Sequence, residues 1–304
     1  MANAKEIKRR ISSIKNTAKI TKAMELISTV KMKKAQDAAT SKKAFMAEAM
    51  KVFLRIGDSL NDYAFFKQGS GDKTLGVMIT SNKGLCGGYN VNTMKKVNSY
   101  RKETGEEMDY VTIGKRGALF VARTGNNIVA DYSDDYSDNI TPVFSKNVSD
   151  LVIEKFMSGE YKKVVIFYTH FVNTISQVPV ARTFLEISKD DIFAYFKQVL
   201  GEDKYEDLAK EIEGESNEVY EFEPSKEEIA KQIVPMILEM MLYDILLQAK
   251  ASEHSQRMVA MKAAKDNANS FAGKLTLAYN KARQAAITAE VSEIVSGVEA
   301  MKDA

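Results

Sequence analysis

The last long segment of the chain, residues 251–297, carries a repeat that only a helix produces. Met258, Met261, Ala264, Ala268, Phe271, Leu275, Ala278, Ala282, Ala285 and Ala289 recur there, and after the first step the spacings alternate three and four. Such alternation is the heptad seam of a helix lying along another helix. Because most seam residues are alanine, the two backbones are expected to approach closely, and leucine at Ala278 or Ala282 is expected to overpack the pair. A matching repeat begins the chain. Residues 3–56 hold neither glycine nor proline, and Ile7, Ile11, Ile14, Ala18, Thr21, Met24, Ile27 and Ala35 step at close to heptad spacing. The spacing predicts one helix on the order of 80 Å long, too polar around its other faces to lie in a core. The two helices come from opposite ends of the chain and are expected to pair antiparallel, with Ile7–Val30 beside roughly Met261–Ala289, as a rod projecting from a globular base.

Between them the period changes. Leu75–Thr80 and Asp109–Ile113 read as short apolar strands, and Asn127–Asp131 as a third; Lys163–Phe171 is a strong one. Helices fit Val91–Glu103, Lys115–Arg123 and Val143–Met157, and Ile175–Ile187 is extended but demoted to a sheet edge by Pro179. Strands alternating with helices predict a small, largely parallel α/β domain. Residues 189–218 contain helical pieces, and Tyr220–Phe222 reads as a last strand. Ser225 and Glu228 form a capping-box signature that opens the final helix, which Pro235 is expected to kink or restart. Met236–Leu247 is apolar on nearly all sides and should be covered by the α/β domain. The predicted division is thus a helix over 1–60, an α/β domain over 74–223 with an acidic insertion at 189–218, and a helix over 225–300.

Charge adds one refinement. The net charge of the 304-residue chain is only +2, yet residues 1–55 hold fourteen Lys and Arg against four Asp and Glu, while residues 189–228 hold five against fourteen. Segregated charge points to separate faces with separate partners. A nucleic acid or an anionic membrane would suit the basic helix, but its lysines are not interleaved with aromatics; a solvated coiled-coil face or an acidic protein partner are the competing readings. No run of apolar residues is long enough for a membrane span. The N-terminus lacks a signal-peptide core, and a transit peptide is disfavoured because its periodicity continues for some fifty residues.

Candidate chemistry is sparse. The turn SNKGLCGG follows a strand and precedes a helix, as a phosphate loop does, but Gly84, Gly87 and Gly88 fit neither common phosphate fingerprint. It reads as a tight turn. Cys86, the only cysteine, has no histidine near it in sequence and reads as a buried structural thiol. With two histidines and one cysteine no metal site is expected, and His254 beside Glu253 reads as a polar-face residue. A carboxylate pair stays open, because acidic residues are plentiful and nothing singles one out.

Three blocks, taken together and in order, resemble the γ subunit of F-type ATP synthases: IKNTAKITKAMELISTVKMKKAQ at residues 14–36, TSNKGLCGGYN at 80–90, and ASEHSQRMVAMKAAKDNA at 251–268 with NKARQAAITAEVSEIVSG at 280–297. The resemblance implies an α/β fold in which an antiparallel coiled coil of the terminal helices joins a Rossmann-like central domain without nucleotide. It implies a shaft inside a hexamer of α and β subunits, resting on the c-ring and the ε subunit, driven by proton or sodium flow, with the chemistry left to the β subunits. It places Lys22, Met24, Arg283, Gln284, Thr288 and Glu290 against β subunits, and Tyr220, Glu221 and Glu223 against the c-ring and ε. Basic residues between 8 and 34 would face acidic β-subunit tips. Nucleic acid is not an implied partner. A bacterial enzyme on the cytoplasmic face of the inner membrane is the expected setting. Val298 after Gly297 departs from the family's usual Gly-Ala.

Overall fold

The computed structural model describes residues 4–57, 64–67, 69–214 and 222–302. The chain divides into two units, one of residues 1–28 with 257–304 and one of residues 29–256.

The central unit is organised by a five-stranded sheet. Its strands are β1 (Lys73–Ile79), β2 (Met108–Ile113), β3 (Ile128–Asp131), β4 (Tyr161–Phe171) and β5 (Gln177–Leu185), in the order β3-β2-β1-β4-β5. The first four are parallel, and β5 returns antiparallel beside β4 with Pro179 opposite Thr169. Proline is tolerated there because β5 is an edge strand and its missing N–H costs no ladder bond on the outer side. Parallel strands are buried on both faces, and the sequence supplies both. Leu75, Val77, Ile79, Val111, Ile113, Val164 and Ile166 point into one core; Met78, Met108, Tyr110, Val165 and Phe167 alternate into a second, smaller one.

The smaller core is covered by α3 (Tyr89–Thr104) and α4 (Lys115–Arg123). The larger core packs under α2 (Lys43–Arg55), α5 (Pro142–Met157), α6 (Lys189–Leu200), α7 (Glu202–Gly214) and the first third of α8 (Lys226–Lys302). Helix starts follow local chemistry. Thr141 Oγ1 accepts the Phe144 N–H with Pro142 at the first helical position. Ser188 and Asp191 close a full capping box on α6, and Ser225 Oγ accepts the Glu228 N–H at 3.2 Å.

Four expectations change. The first helix is not continuous to residue 56: α1 spans Ala4–Ser41 and α2 begins at Lys43. Thr40 and Ser41 turn their hydroxyls back onto the carbonyls of Gln36, Asp37 and Ala38, which loosens and bends a helix. The following Lys42 is buried and ion-paired with Asp244 of α8. Pro235 does not restart α8, which runs unbroken through it for 77 residues, about 115 Å. Ile233, Val234, Ile237 and Leu238 around it are all buried in the core and hold that turn in place. The acidic segment, read as an insertion into the α/β domain, contributes to its core. Ile192, Tyr195, Phe196, Val199 and Leu200 of α6 join the core, with Phe53 of α2 5.5 Å from the Phe193 ring. Finally, Phe222 is not in a strand; Tyr220 and Glu221 lie outside the described residues.

The second unit is the antiparallel pair formed by the start of α1 and the end of α8. Lys265 Nζ meets Glu25 Oε2 at 2.8 Å, which puts Ala18 and Ala272 at about the same level, seven residues away on each helix; both are buried. The covered face of α8 follows Met261, Lys265, Ala268, Ala272, Leu275, Tyr279 and Ala282. Ala264 is half-buried beside Lys265, as expected, while Ala272 and Tyr279 stand one residue beyond the expected Phe271 and Ala278. Phe271 is 54% exposed, and Ala278, Ala285 and Ala289 are exposed as well. Two stripes thus lie side by side on this helix, and the pairing buries Ala272 while leaving Phe271 exposed. On α1, Ser28 replaces Ile27 on the covered face.

Candidate functional site

In a doubly wound sheet a ligand sits outside the carboxyl ends of the strands. Here that place is taken by the chain's own α8. The β1 end leads into the turn Ser81–Gly88, where Leu85 and Gly87 adopt positive φ of 62° and 57°. A Cβ on Gly87 would stand 3.7 Å from Gln256 Oε1, so the turn lies against α8. The turn is tied internally: Asn90 Oδ1 accepts from Ser81 N at 3.0 Å, and Asn90 Nδ2 reaches Cys86 Sγ at 3.3 Å. Cys86 is buried, as expected.

Asn82 connects this turn to its neighbours. Its Oδ1 accepts the Lys115 N–H at the start of α4, and its Nδ2 donates to the carbonyls of Ser133 and Tyr136 at 2.8 and 2.9 Å. Those carbonyls belong to the loop after β3, which presents Asp138. Its carboxylate takes Lys31 Nζ of α1 at 2.5 Å, and on α8 lies 3.2 Å from His254 Nε2 and 3.7 Å from Lys250 Nζ. The approach of His254, then the hydrogen bond from Lys31, holds the Asp138 carboxyl far below the usual carboxylate range, against the opposing effect of burial. Lys250 also pairs with Glu253 at 3.1 Å and lies 3.7 Å over the Tyr136 ring. The β4 end completes the surround. His170 Nδ1 is 2.6 Å from Gln248 Oε1, and Ser255 Oγ donates to the Thr174 carbonyl at 2.6 Å.

His254 is therefore buried among charges, not on a polar outer face. Asp138, Lys31, Lys250, Lys42 and Asp244 escaped sequence reasoning. Lys250 and His254 stand one helical turn apart, the one local signal available; nothing in the spacing of the loop marks Asp138. Among the described residues no group of His, Cys, Asp and Glu is arranged to hold a metal, and no helix is long and apolar enough to cross a membrane.

The residues expected to touch other chains fall into two sets in the helix pair. Lys22 is exposed and Met24 half-buried. Lys22 lines a groove of about 450 Å³ with Lys15, Ala18, Lys19, Lys265 and Asn269. Arg283, Gln284, Thr288 and Glu290 are all exposed on two turns of α8, with Thr288 Oγ1 donating to the Gln284 carbonyl. The register at Lys265 separates the two sets by about 27 Å along the axis. Glu223 is exposed ahead of α8, while Tyr220 and Glu221 lie outside the described residues.

A family model described as ATP synthase matches residues 3–301. The chain is 36% identical over 307 residues to the ATP synthase gamma chain of Halothermothrix orenii, covering 99% of this chain and 100% of that one. It is 37% identical over 305 residues to that of Flavobacterium johnsoniae, covering 99% of each. Among solved structures it resembles a chain of the Euglena gracilis mitochondrial ATP synthase with TM-score 0.63 and 18% identity, covering 98% of this chain and 94% of that one. A chain of the central stalk and c-ring of the Tetrahymena thermophila enzyme matches with TM-score 0.56 and 21% identity, covering 81% and 99%. These two likenesses are of fold.

Proposed function

We infer the function from one premise: the chain belongs to the ATP synthase gamma chain family. It is the central shaft of an F-type ATP synthase and transmits torque between the membrane c-ring and the catalytic β subunits. Proton or sodium flow turns the ring and drives synthesis; hydrolysis turns the shaft the other way. The working parts are the N-terminal segment of residues 1–60, which carries α1 and α2, the α/β domain of 74–223 and the C-terminal segment of 225–300, which carries α8. The chain supplies no catalytic group of its own. Its role is to present an asymmetric surface that each β subunit meets in turn.

The observation that carries this reading is the bare end of α8. From residue 283 to 298 every residue is exposed, including Ile287, Val291, Ile294, Val295 and Val298. An apolar helix end of this length is built to be enclosed by other chains, here the hexamer of α and β subunits. Arg283, Gln284, Thr288 and Glu290 then face β-subunit loops, and Lys22 and Met24 meet β subunits lower on the shaft. Glu223 meets the ε subunit and the c-ring, the contact also proposed for Tyr220 and Glu221, which lie outside the described residues. With no membrane-crossing helix among the described residues, the chain joins the membrane peripherally through the ring, on the cytoplasmic face of a bacterial inner membrane.

Affinity purification of the tagged chain from its own cells tests the reading. Co-purification of α and β subunits with ATPase activity is expected; a chain that emerges without them refutes it. In the assembled complex, Arg283→Ala combined with Gln284→Ala should lower ATP hydrolysis while leaving the thermal stability of the isolated chain unchanged, because both side chains are exposed.

A further inference from the structure

The hold on α8 changes character along its length. Up to Ala249 the helix packs mainly by apolar residues, with one buried ion pair, Asp244 to Lys42; from Lys250 on, Lys250, Ser252, Glu253, His254 and Ser255 are all buried and polar. Apolar burial is non-directional and resists separation more than rotation about the helix axis. Hydrogen bonds and ion pairs depend on angle and position, so they fix the azimuth of the helix. The polar stretch is where loops from the ends of β1, β3 and β4 converge on it.

One carboxylate joins both terminal helices at this level. Asp138 holds Lys31 of α1 on one side and His254 and Lys250 of α8 on the other. Its loop is anchored to the sheet through Asn82, whose amide spans the Ser133 and Tyr136 carbonyls and the Lys115 N–H. Each helix gripped here continues unbroken, α1 as Ala4–Ser41 and α8 as Lys226–Lys302.

We propose that Asp138, steadied by Asn82, is the torsional grip of the shaft, through which the α/β domain resists twisting of α1 at Lys31 and of α8 at Lys250 and His254 under load. The proposal rests on the shaft reading above. It also gives the turn SNKGLCGG a mechanical role: Asn82 braces the Asp138 loop, and the glycines let the turn lie against α8. Without the carboxylate the apolar core still holds α8 in place, so the parts stay assembled but yield when twisted. Asp138 and Asn82 are positioning residues, since neither touches a reacting group.

The experiment uses the whole complex in inverted membrane vesicles, with Asp138→Asn, Asp138→Glu and Asn82→Ala in this chain. Co-purification of the subunits is measured first; if even the unaltered chain fails it, the shaft reading falls and not the grip alone. ATP hydrolysis is then read with an uncoupler present, where the ring turns without load, and ion pumping per ATP is read as the opposing gradient builds. Asp138→Asn and Asn82→Ala should hydrolyse ATP normally without load but pump less than half as many ions per ATP against the gradient. Asp138→Glu, which keeps the charge, should recover most of the ratio. A full pumping ratio under load in Asp138→Asn and Asn82→Ala overturns the proposal. So does a loss of pumping only in proportion to a loss of hydrolysis, which simple instability would give. If Asp138→Asn does not assemble, Asn82→Ala decides by the same two readings.

Discussion

Removing the carboxylate of Asp244 tests how far the buried charges hold the central unit together. Lys42 and Asp244 retain only 7% and 8% of their side-chain exposure and pair directly. Asp244 Oδ2 also accepts Gln248 Nε2 at 3.1 Å. Burial lowers the Lys42 pKa, and attraction to Asp244 only partly offsets this. Breaking such a pair by removing one partner costs about 3–5 kcal/mol. A ceiling comes from the alternative open to the amine, which is to lose its proton. From an unfolded pKa near 10.4, neutralising a lysine at pH 7 costs about 4.6 kcal/mol. Asp244→Asn should therefore lose about 3–4.6 kcal/mol at pH 7, or about 6–18 °C in Tm for a unit of this size.

The sign of the pH dependence follows. In Asp244→Asn burial makes Lys42 release its proton at lower pH in the folded state than in the unfolded one. Above that point the unfolded chain binds more protons, so the variant's stability rises with pH and its deficit narrows by up to about 1.4 kcal/mol per pH unit as pH rises toward 10. Replacing both charges, Lys42→Met with Asp244→Leu, should recover most of the loss, because well-packed apolar groups substitute for a buried ion pair. Urea denaturation of the isolated chain at pH 7 and 9 reads all three quantities. A loss under about 1 kcal/mol for Asp244→Asn, or a double variant no more stable than the single one, refutes the reasoning.

The remaining predictions follow from burial and conformation. Ala272→Leu should overpack the helix pair and cost about 1–3 kcal/mol, whereas Ala278→Leu should change the isolated chain's stability by no more than about 0.5 kcal/mol; equal effects in thermal melts would restore the expected seam. Glu106 is raised by its burial, but hydrogen bonds from Lys163, Lys162 and Thr74 outweigh this and bring its pKa down to about 2. A depressed carboxyl stabilises fully above its unfolded pKa and loses that contribution as pH falls from about 4.5 toward 2; after screening by solvent at the lysines this is worth about 2 kcal/mol. Glu106→Gln should flatten that part of the acid-denaturation curve, and an unchanged curve would exclude the carboxyl as its source. Gly114 has φ of 103°, and a Cβ there would run into the Thr80 carbonyl and stand 2.9 Å from Thr80 Oγ1. Gly114→Ala should thus destabilise the central unit by more than about 2 kcal/mol, measurable as a lower urea midpoint.

Most elements were legible in the sequence because their signals are local. The apolar run LGVMIT, the glycine- and proline-free run of residues 3–56 and the Ser225 cap are each read from neighbouring residues. The places where expectation failed share a different cause. Lys42, Lys250 and His254 are charged or polar residues that pattern alone puts outside. Their burial depends on Asp244 and Asp138, which lie 202, 112 and 116 residues away in sequence. No local spacing can report such a partner. The candidate contact residues were legible only through family resemblance, since exposed side chains at 283–290 leave no periodic trace of what they meet.

The alanine-rich end of α8 marks the boundary between the two kinds of information. By itself the sequence determined that this segment is a helix with a small-residue seam and that its partner is the other end of the same chain. It left two adjacent stripes nearly equivalent, because a heptad with alanine on both sides of the seam does not fix its own rotation. Only the tertiary structure decided between them, by setting Lys265 against Glu25 and burying Ala272 at about the level of Ala18. Pairing energy at a close helix contact depends on what stands across it, and that is fixed by the partner helix rather than by the helix's own repeat.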